Sequence, residues 1–201
     1  MKPKIKLIII DLYGVMSVGS YKETCRWISR KYKIDFDICY DIVYHKYFTP
    51  ASLGKITERQ SFELAAKEIG MKEDWKIFRS KHLSFQHINK SVFNFAKSLQ
   101  NKEYKILLLS KNTTGQFKYV VNKYQLKKHF DLINTYDLKL SKGSAKTFKY
   151  VLKKYKVKAD EVFFVDDQYF NLPNAKKLGI HTYLYKNFKD FRKYLTSLLN
   201  D

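Results

Sequence analysis

Apolar runs and amphipathic stretches alternate along much of the chain, which predicts strands and helices in alternation. The first run, residues 5–10, is almost wholly apolar and rich in β-branched residues, so it predicts a strand buried on both faces, as in a parallel sheet. Further apolar runs lie at residues 104–109, 130–133, 161–165 and 182–185. The pattern predicts an α/β fold with a parallel sheet and helices on both of its faces.

One segment departs from this alternation, because residues 17–85 carry only helical patterns. Residues 20–23 and residues 57–60 each have the spelling of a capping box, which marks the start of a helix. Between them we predict a helix over residues 36–48 that ends ahead of Pro50. The sequence thus predicts an all-helical block that follows directly on the first strand.

Polar residues stand at the ends of three of the predicted strands. Asp11 ends the first run and is followed by Gly14, Ser110 ends a later one, and Asp166 and Asp167 end another. Open α/β sheets bind ligands beyond the carboxyl ends of their strands, so these are candidate site residues. Two buried carboxylates are costly unless they bind a cation or share a proton, which favours a metal site. The alternative is that the carboxylates cap helices or start turns.

In their order and content, these strand ends resemble the motifs of the haloacid dehalogenase-like (HAD) hydrolase superfamily. Residues 11–15 resemble its first motif, Asp-x-Asp-Gly-Thr/Val, except that Tyr13 replaces the second Asp. Ser110 resembles the second motif, Lys142 falls at the position of the third, and residues 166–171 have the Asp-Asp-x-x-x-Asn pattern of the fourth. The resemblance covers the whole chain.

The resemblance implies a fold and a division of the chain. Residues 1–16 and 86–201 would form an α/β core, with a Rossmann-like parallel sheet and helices on both faces. Residues 17–85 would form an inserted, all-helical cap that closes over the active site. Residues 55–58 are similar to the start of a cap helix in many family members.

The resemblance also implies a role for each motif residue. Asp11 would be the nucleophile that becomes an aspartyl-phosphate. Mg²⁺ would lie between the Asp11 carboxylate, the main-chain carbonyl of Tyr13 and Asp167, with Asp166 supporting a bound water; such oxygen ligands suit a hard cation. The phosphoryl group would be held by Ser110, Lys111, Asn112 and Lys142, and Lys142 would also neutralise the nucleophile.

Tyr13 makes the catalytic competence of the chain the central question. In the family, the second Asp protonates the leaving oxygen and activates water, and a phenol with a pKa near 10 does this poorly. Our first interpretation is a Mg²⁺-dependent phosphatase or phosphotransferase for a small phosphate ester. It would be slow, or it would take a proton from the cap, where Glu58, Tyr21 and His45 are the candidates.

Two alternatives rank below this one. The first is a catalytically degenerate HAD-fold protein that binds a phosphorylated ligand, a nucleic acid or a protein. The second, further behind, is a 2-haloacid dehalogenase, since those enzymes carry Tyr at this position. They lack the metal carboxylates of the fourth motif, however, and they use a cap Arg for the halide, whereas residues 36–48 contain none.

The charge of the chain favours an anionic ligand. Lys and Arg total 39 against 19 acidic residues, for a formal net charge of +20. The lysines are spread along every predicted helix, while arginine, which nucleic-acid recognition favours, occurs at five positions only. We therefore favour a small anionic substrate, a phosphate ester, over a nucleic-acid partner.

The remaining composition excludes several classes of protein. Cys25 and Cys39 are the only cysteines, so neither a disulfide framework nor a zinc site is indicated. The five histidines have no metal-ligand spacing. No apolar run approaches the length of a membrane span, and Asp11 interrupts the first one, so we expect no membrane association and a cytoplasmic location. The sequence carries no signature of an oligomeric state.

Overall fold

The structure is a computed structural model and describes residues 4–102 and 104–200. Its strands are β1 Leu7–Asp11, β2 Ser17–Val18, β3 His87–Ile88, β4 Lys105–Ser110, β5 Asp131–Asn134, β6 Val162–Asp166 and β7 His181–Leu184. Its α-helices are α1 Tyr21–Tyr32, α2 Phe36–Tyr40, α3 Thr49–Ser52, α4 Glu58–Ile69, α5 Trp75–Ser84, α6 Lys90–Gln100, α7 Thr114–Lys123, α8 Thr135–Leu138, α9 Ala145–Tyr155, α10 Pro173–Lys177 and α11 Phe188–Asn200. A π-helical segment spans Asp41–Phe48, and 3₁₀ turns span Leu126–Lys128, Ala159–Glu161 and Tyr169–Asn171.

Five of the strands form one parallel sheet with the order β5-β4-β1-β6-β7. β1 lies at its centre, where Ile9 pairs with Leu107 of β4 on one side and with Phe164 of β6 on the other. Every residue of β1 and β6 is buried, as expected for strands covered on both faces. The predicted α/β class and parallel sheet are confirmed.

Alternate residues of β1 enter two separate cores. Ile8 and Ile10 pack with apolar side chains of α6, α7 and α11, such as Val92, Val120 and Phe191. The intervening Leu7 and Ile9 pack on the other face with side chains of α9 and α10, namely Phe148, Val151 and Ala175. Because each face of the sheet carries its own helices, the carboxyl ends of the strands remain free to form a site.

The helices α1 to α5 and the π-helical segment form a block over residues 21–84, which we call the helical block. It has a core of its own, built from apolar side chains of each longer element, among them Cys25, Val43, Phe62 and Phe78. Both cysteines are buried and free. A block with its own core can be carried on the sheet as a unit.

Two short strands join the helical block to the rest of the chain. β2 and β3 pair antiparallel, with Ser17 opposite Ile88, so the purely helical pattern predicted for residues 17–85 is wrong at its first two positions. Gly19 follows β2 with a φ of +82°, and a Cβ there would lie 1.6 Å from the carbonyl oxygen of Phe85. Only glycine allows the outgoing and returning chains to pass this closely.

The helix predicted for residues 36–48 is longer and differently wound than the sequence indicates. It runs from α2 through the π-helical segment into α3, so Pro50 does not end it. Pro50 lies in α3 directly after the π-helical segment, so the helix continues through a residue that has no amide to donate. Among the residues described, no helix is both long and apolar enough to cross a bilayer.

Candidate active site

Asp11 is the last residue of the central strand and is buried, with 3% of its surface exposed. The chain turns at once, and Gly14 has a φ of +116°. A Cβ at this glycine would lie 2.4 Å from the carboxylate carbon of Asp167. Glycine is therefore required both by the turn and by the close approach of the turn to Asp167.

Asp166 and Asp167 come from the end of β6, the strand next to β1. The Asp166 carboxylate accepts hydrogen bonds from the Gln168 amide (2.8 Å) and from the side-chain amide of Asn171 (3.1 Å to each oxygen). These bonds fix Asp166, which is fully buried. The neighbouring Asp167 has a buried oxygen, Oδ1, with no hydrogen-bond partner among the described residues.

Lys142 enters this group from the loop ahead of α9. Its Nζ bonds Asp11 Oδ1, lies 2.7 Å from Asp166 Oδ2, and is almost completely buried. The loop packs tightly, since a Cβ at Gly143 would lie 2.9 Å from the Cα of Asn171. The structure thus brings together Asp11, Lys142, Asp166 and Asp167, which we call the carboxylate cluster.

Burial and charge shift the protonation of this cluster. Burial raises the pKa of Asp11 well above its usual value; Lys142 opposes this shift, and the carboxylates of Asp166 and Asp167 add to it. Burial acts to lower the pKa of Lys142, but Asp11 and Asp166 outweigh it and leave that pKa raised. Burial and Asp166 also raise the pKa of Asp167. One ammonium therefore does not balance three carboxylates, and the cluster favours a further positive charge.

The cluster fits a divalent cation. One carboxylate oxygen from each of Asp11, Asp166 and Asp167 lies within 4.8 Å of the others. The unpartnered Oδ1 of Asp167 supplies a free ligand atom, and oxygen donors of this kind suit Mg²⁺. Asp166 already accepts bonds from Gln168, Asn171 and Lys142, which suits it to a supporting position rather than to direct coordination.

Ser110, Lys111 and Asn112 follow β4 on the other side of β1. The Ser110 hydroxyl is buried without a partner in the described part of the chain, and Ser110 is not among the residues that line the cavity described below. Lys111 lines that cavity, and its Nζ donates to the hydroxyl of Tyr44 (3.2 Å). Asn112 also lines it, and the Asn112 side chain accepts a bond from the Thr113 amide (2.8 Å) at the start of α7.

Tyr13 lines the cavity described below, but its hydroxyl is bonded outside the carboxylate cluster. It donates to the main-chain carbonyl of Gln116 in α7 at 2.8 Å. Burial raises the pKa of Tyr13 well above 10, and the charges of Glu58 and Asp11 raise it further. The phenol therefore stays protonated and donates a hydrogen bond to a backbone acceptor.

Gln116 joins the helical block to the sheet, a role that its sequence context does not reveal. Its side-chain amide donates to the hydroxyl of Tyr21 (2.8 Å), and its Oε1 lies 3.1 Å from Nε2 of His82. His82 is fully buried, and its other ring nitrogen lies 2.8 Å from the Thr24 hydroxyl. Burial lowers the pKa of His82 to about 4. The histidine is thus held neutral in a polar contact between the two parts of the molecule.

The three proton donors suggested by the sequence lie in different surroundings. Glu58 is held by Arg79, by the Thr113 hydroxyl and by the amide of Gln116 (3.1 Å), and it does not line the cavity. His45 is exposed and lies edge-on to the rings of Tyr40 and Tyr44. Tyr21 alone of the three lines the cavity.

A cavity lies between the carboxylate cluster and the helical block. Asp11, Lys142 and Asp167 contribute to its charged part, and Lys22 and Lys111 add positive charge. The remainder of its lining is largely aromatic, with Tyr40, Tyr44 and Phe48 from one helical face and Tyr21 from α1. We call these four rings the aromatic wall. Its signal in the sequence is the spacing of four residues between Tyr40, Tyr44 and Phe48, which also suits a helix core.

Known proteins share this arrangement of strands and helices. The family model described as haloacid dehalogenase-like hydrolase matches residues 48–185. A HAD family enzyme from Bacteroides thetaiotaomicron has a TM-score of 0.79 at 24% identity, over 96% of this chain and 98% of that chain. A predicted HAD-like family hydrolase from Porphyromonas gingivalis has a TM-score of 0.76 at 22% identity, over 98% of each chain.

A further structure of the Bacteroides enzyme is a complex with magnesium and inorganic phosphate. It has a TM-score of 0.72 at 23% identity, over 90% of this chain and 94% of that chain. At these identities the solved structures show a shared fold. No curated protein matches this sequence.

Proposed function

The chain belongs to the haloacid dehalogenase-like hydrolase family, and from this premise we propose that it is a Mg²⁺-dependent phosphatase for small phosphate esters, acting through an aspartyl-phosphate on Asp11. The complex of the Bacteroides relative with magnesium and inorganic phosphate supports this choice of ligand and cofactor. The resemblance seen in the sequence is supported by the same family match.

The carboxylate cluster is the observation that carries the proposal. A nucleophilic carboxylate, a lysine bonded to it and an unpartnered carboxylate oxygen meet at the ends of neighbouring parallel strands. Such a group, with three carboxylates and one ammonium, is costly to bury without a further cation to balance it. Phosphoryl transfer uses all of its members, because it needs a nucleophile and fixed positive charge for the phosphoryl oxygens.

Mg²⁺ would be held by Asp11, the main-chain carbonyl of Tyr13 and Asp167, with Asp166 in support. When bound, the ion would supply positive charge that offsets the carboxylates and polarises the phosphoryl group. The residues of the chain account for the remaining chemistry. The positive cavity, with Lys22 and Lys111 on its lining, attracts the anionic ester.

The reaction proceeds in two displacements. An Asp11 oxygen attacks phosphorus, the bond between phosphorus and the ester oxygen breaks, and the leaving oxygen departs with the electron pair. Lys142, the Ser110 hydroxyl and the Lys111 amide hold the charge on the transferred oxygens. The Asn112 amide donates to Asn134 Oδ1 (3.1 Å) and so positions this loop. Water then attacks the phosphorus of the aspartyl-phosphate, which releases inorganic phosphate and restores the Asp11 carboxylate.

We also propose that the helical block is the cap predicted over residues 17–85, set on a core of residues 1–16 and 86–201. Its support is the cavity between the block and the carboxylate cluster, and the contacts that Gln116 makes across this boundary. In this role the cap would determine which leaving groups fit the cavity. A cytoplasmic location and the absence of a nucleic-acid partner remain predictions.

A second candidate is a degenerate member of the family that binds a phosphorylated ligand without turning it over. The bond from the Tyr13 hydroxyl to the Gln116 carbonyl favours this candidate, because it removes the residue at the acid/base position from the reaction. We do not propose a dehalogenase, since the carboxylates of Asp166 and Asp167 suit a cation, which carbon–halogen displacement does not use.

The test is the release of inorganic phosphate from phenyl phosphate with Mg²⁺, with EDTA and with Asp11→Asn. We expect release that requires Mg²⁺ and that falls by about 10⁴-fold or more in Asp11→Asn. The matched control is Asp160→Asn, because Asp160 is exposed in a 3₁₀ turn outside the cavity. Mg²⁺ binding without turnover of any ester would instead support the degenerate binding protein.

A further inference from the structure

The aromatic wall is a stacked column of rings. Tyr40 and Tyr44 have ring centroids 5.0 Å apart at an interplanar angle of 12°, and Tyr44 and Phe48 are 5.3 Å apart at 30°. Tyr21 leans on this column, with its centroid 4.3 Å from that of Phe48. The column follows the π-helical segment, which sets every fourth residue on the cavity side. Tyr40 also stacks on Phe36, with centroids 5.9 Å apart at 16°, so neighbouring rings cover much of one another's faces. The ring edges remain for a bound aromatic group, which can pack on them edge-to-face.

Two side chains from the sheet hold the wall beside the phosphate-binding residues. The Tyr44 hydroxyl accepts bonds from Lys111 (3.2 Å) and from Gln168 (3.0 Å), which follow β4 and β6. The Lys111 ammonium also lies over the Tyr44 ring, 5.1 Å from its centroid. A ring attached to a phosphate at the carboxylate cluster would therefore lie in the same cavity as Tyr44.

The carboxyl and imidazole side chains that line the cavity are engaged elsewhere, and burial raises the pKa of the lining phenols Tyr21 and Tyr40, which makes them weaker acids. The Tyr13 hydroxyl donates its hydrogen bond to the Gln116 carbonyl. His82, the lining residue whose ordinary pKa is closest to neutrality, has hydrogen-bond partners at both ring nitrogens. The lining carboxylates, Asp11 and Asp167, belong to the carboxylate cluster. An ester whose leaving oxygen needs a proton would be hydrolysed slowly at such a site.

From the aromatic wall and the engaged hydroxyl of Tyr13 we infer that the substrates are aryl phosphates, in which the phosphoryl group is esterified to a phenol. The inference rests on the proposed phosphatase function and narrows its substrate class. A phenol has a pKa near 10, whereas an aliphatic alcohol resembles water, at about 15.7. A phenolate is therefore the leaving group that can depart without an acid.

The chemical step balances without an additional reactant. The Asp11 oxygen forms a bond to phosphorus as the bond from phosphorus to the aryl oxygen breaks, and the phenolate departs with the electron pair. It takes a proton from water after it leaves. Tyr40 and Tyr44 bind the ring before and during this step, so they act on affinity, and they leave the chemistry to the carboxylate cluster.

Three esters of similar size separate the effect of the leaving group from the effect of the aromatic ring. Phenyl phosphate has a ring and a phenolate leaving group, benzyl phosphate has a ring and an alkoxide leaving group, and cyclohexyl phosphate has an alkoxide and no aromatic ring. We expect the kcat/KM for phenyl phosphate to exceed that for benzyl phosphate by at least about 100-fold, the lower bound for lost acid catalysis. Benzyl phosphate should have a KM about threefold to tenfold below that of cyclohexyl phosphate.

The variant Tyr40→Leu tests the wall itself. We expect it to raise KM for phenyl and benzyl phosphate about threefold to tenfold, with kcat and the KM for cyclohexyl phosphate unchanged. Tyr47→Leu is the matched control, because Tyr47 lies in the π-helical segment, is half-buried like Tyr40, and bonds Glu68 outside the cavity. Thermal unfolding of both variants checks that each is folded.

The results test the leaving group, the aromatic wall and the phosphatase function separately. A kcat/KM for benzyl phosphate within tenfold of that for phenyl phosphate would overturn the aryl inference and leave the phosphatase proposal standing. An unchanged KM for phenyl phosphate in Tyr40→Leu, or an equal change in Tyr47→Leu, would remove the wall from substrate recognition. If none of the three esters releases phosphate while Mg²⁺ binds, the phosphatase proposal fails and the aryl inference fails with it.

Discussion

The carboxylate cluster and the aromatic wall line one cavity, yet they are built in different ways. The cluster consists of charged side chains at the ends of adjacent parallel strands, so backbone pairing sets its geometry. The wall consists of rings on one helical face, and side-chain contacts such as those from Lys111 and Gln168 to Tyr44 hold it against the sheet. Changes in the cluster should therefore abolish chemistry, while changes in the wall should alter selectivity.

Tyr13 lies next to the carboxylate cluster in sequence but takes no part in its hydrogen bonds through its hydroxyl. It stands two residues after Asp11 in the turn that follows β1, but its hydroxyl belongs to the contacts of Gln116 with the helical block. The position that the family uses for proton transfer here ties the turn after β1 to α7. Tyr13 therefore has a structural hydrogen bond although it supplies no acid to the site.

The largest effect on the carboxylate cluster is expected from Lys142→Met. The change leaves the carboxylates of Asp11 and Asp166 without their buried cation, so we expect phosphate release to fall by more than about 10³-fold and stability to fall by about 3 kcal/mol. Mg²⁺ should restore part of the stability. Urea unfolding with and without Mg²⁺ measures both effects.

Lys46→Met is the control for Lys142→Met, because Lys46 forms an exposed ion pair with Glu68 in the helical block. We expect no measurable change in its stability or activity. Equal unfolding midpoints for Lys142→Met and the wild type would mean that Lys142 does not balance the cluster.

An intermediate effect on the contact between the two parts comes from acid. The neutral His82 of the folded protein has a pKa of about 4, whereas an unfolded histidine titrates near 6.5. The unfolded state therefore takes up a proton first as the pH falls from 6.5 towards 4. We expect His82 to cost about 3 kcal/mol of folding stability across this window.

The difference in unfolding free energy between the wild type and His82→Gln isolates this effect from the titration of the carboxylate cluster. The wild type should lose stability faster than His82→Gln below pH 6.5, and the exposed His45→Gln should follow the wild type. Parallel curves for the wild type and His82→Gln would show that His82 is not held neutral at this boundary.

The smallest effect is expected from Tyr13→Phe, which tests whether the Tyr13 hydroxyl is structural or catalytic. It removes the bond to the Gln116 carbonyl, so stability should fall by about 1 kcal/mol. The kcat/KM for phenyl phosphate should stay within about threefold of the wild type, because the hydroxyl takes no part in the reaction. A loss of 100-fold in kcat/KM would assign the hydroxyl to the chemistry and contradict the account.

The sequence predicted the cluster better than the wall for a physical reason. Asp11 and Asp166 end apolar runs, and the ends of parallel strands converge wherever the runs are correctly identified. Lys142 has no such signal, because it lies in a loop and is one of many lysines; only its position relative to the other motifs indicated it. The parallel sheet followed from the same runs and is confirmed.

The contacts of the helical block were beyond local patterns. Gln116 looks like any polar residue of an amphipathic helix, and its partners Tyr21 and His82 are distant in the sequence. The helix predicted to stop ahead of Pro50 continues through it, from the π-helical segment into α3. Such features depend on long-range packing that no short window contains.

The most direct test of the central claim is the intact mass of the protein quenched in acid during turnover of phenyl phosphate with Mg²⁺. The account predicts one added phosphoryl group on the wild type, and none on Asp11→Asn or in EDTA. Slow loss of this group is expected, since no acid/base residue assists the attacking water. Phosphate release with no phosphorylated protein, or a phosphoryl group that persists in Asp11→Asn, would contradict the account.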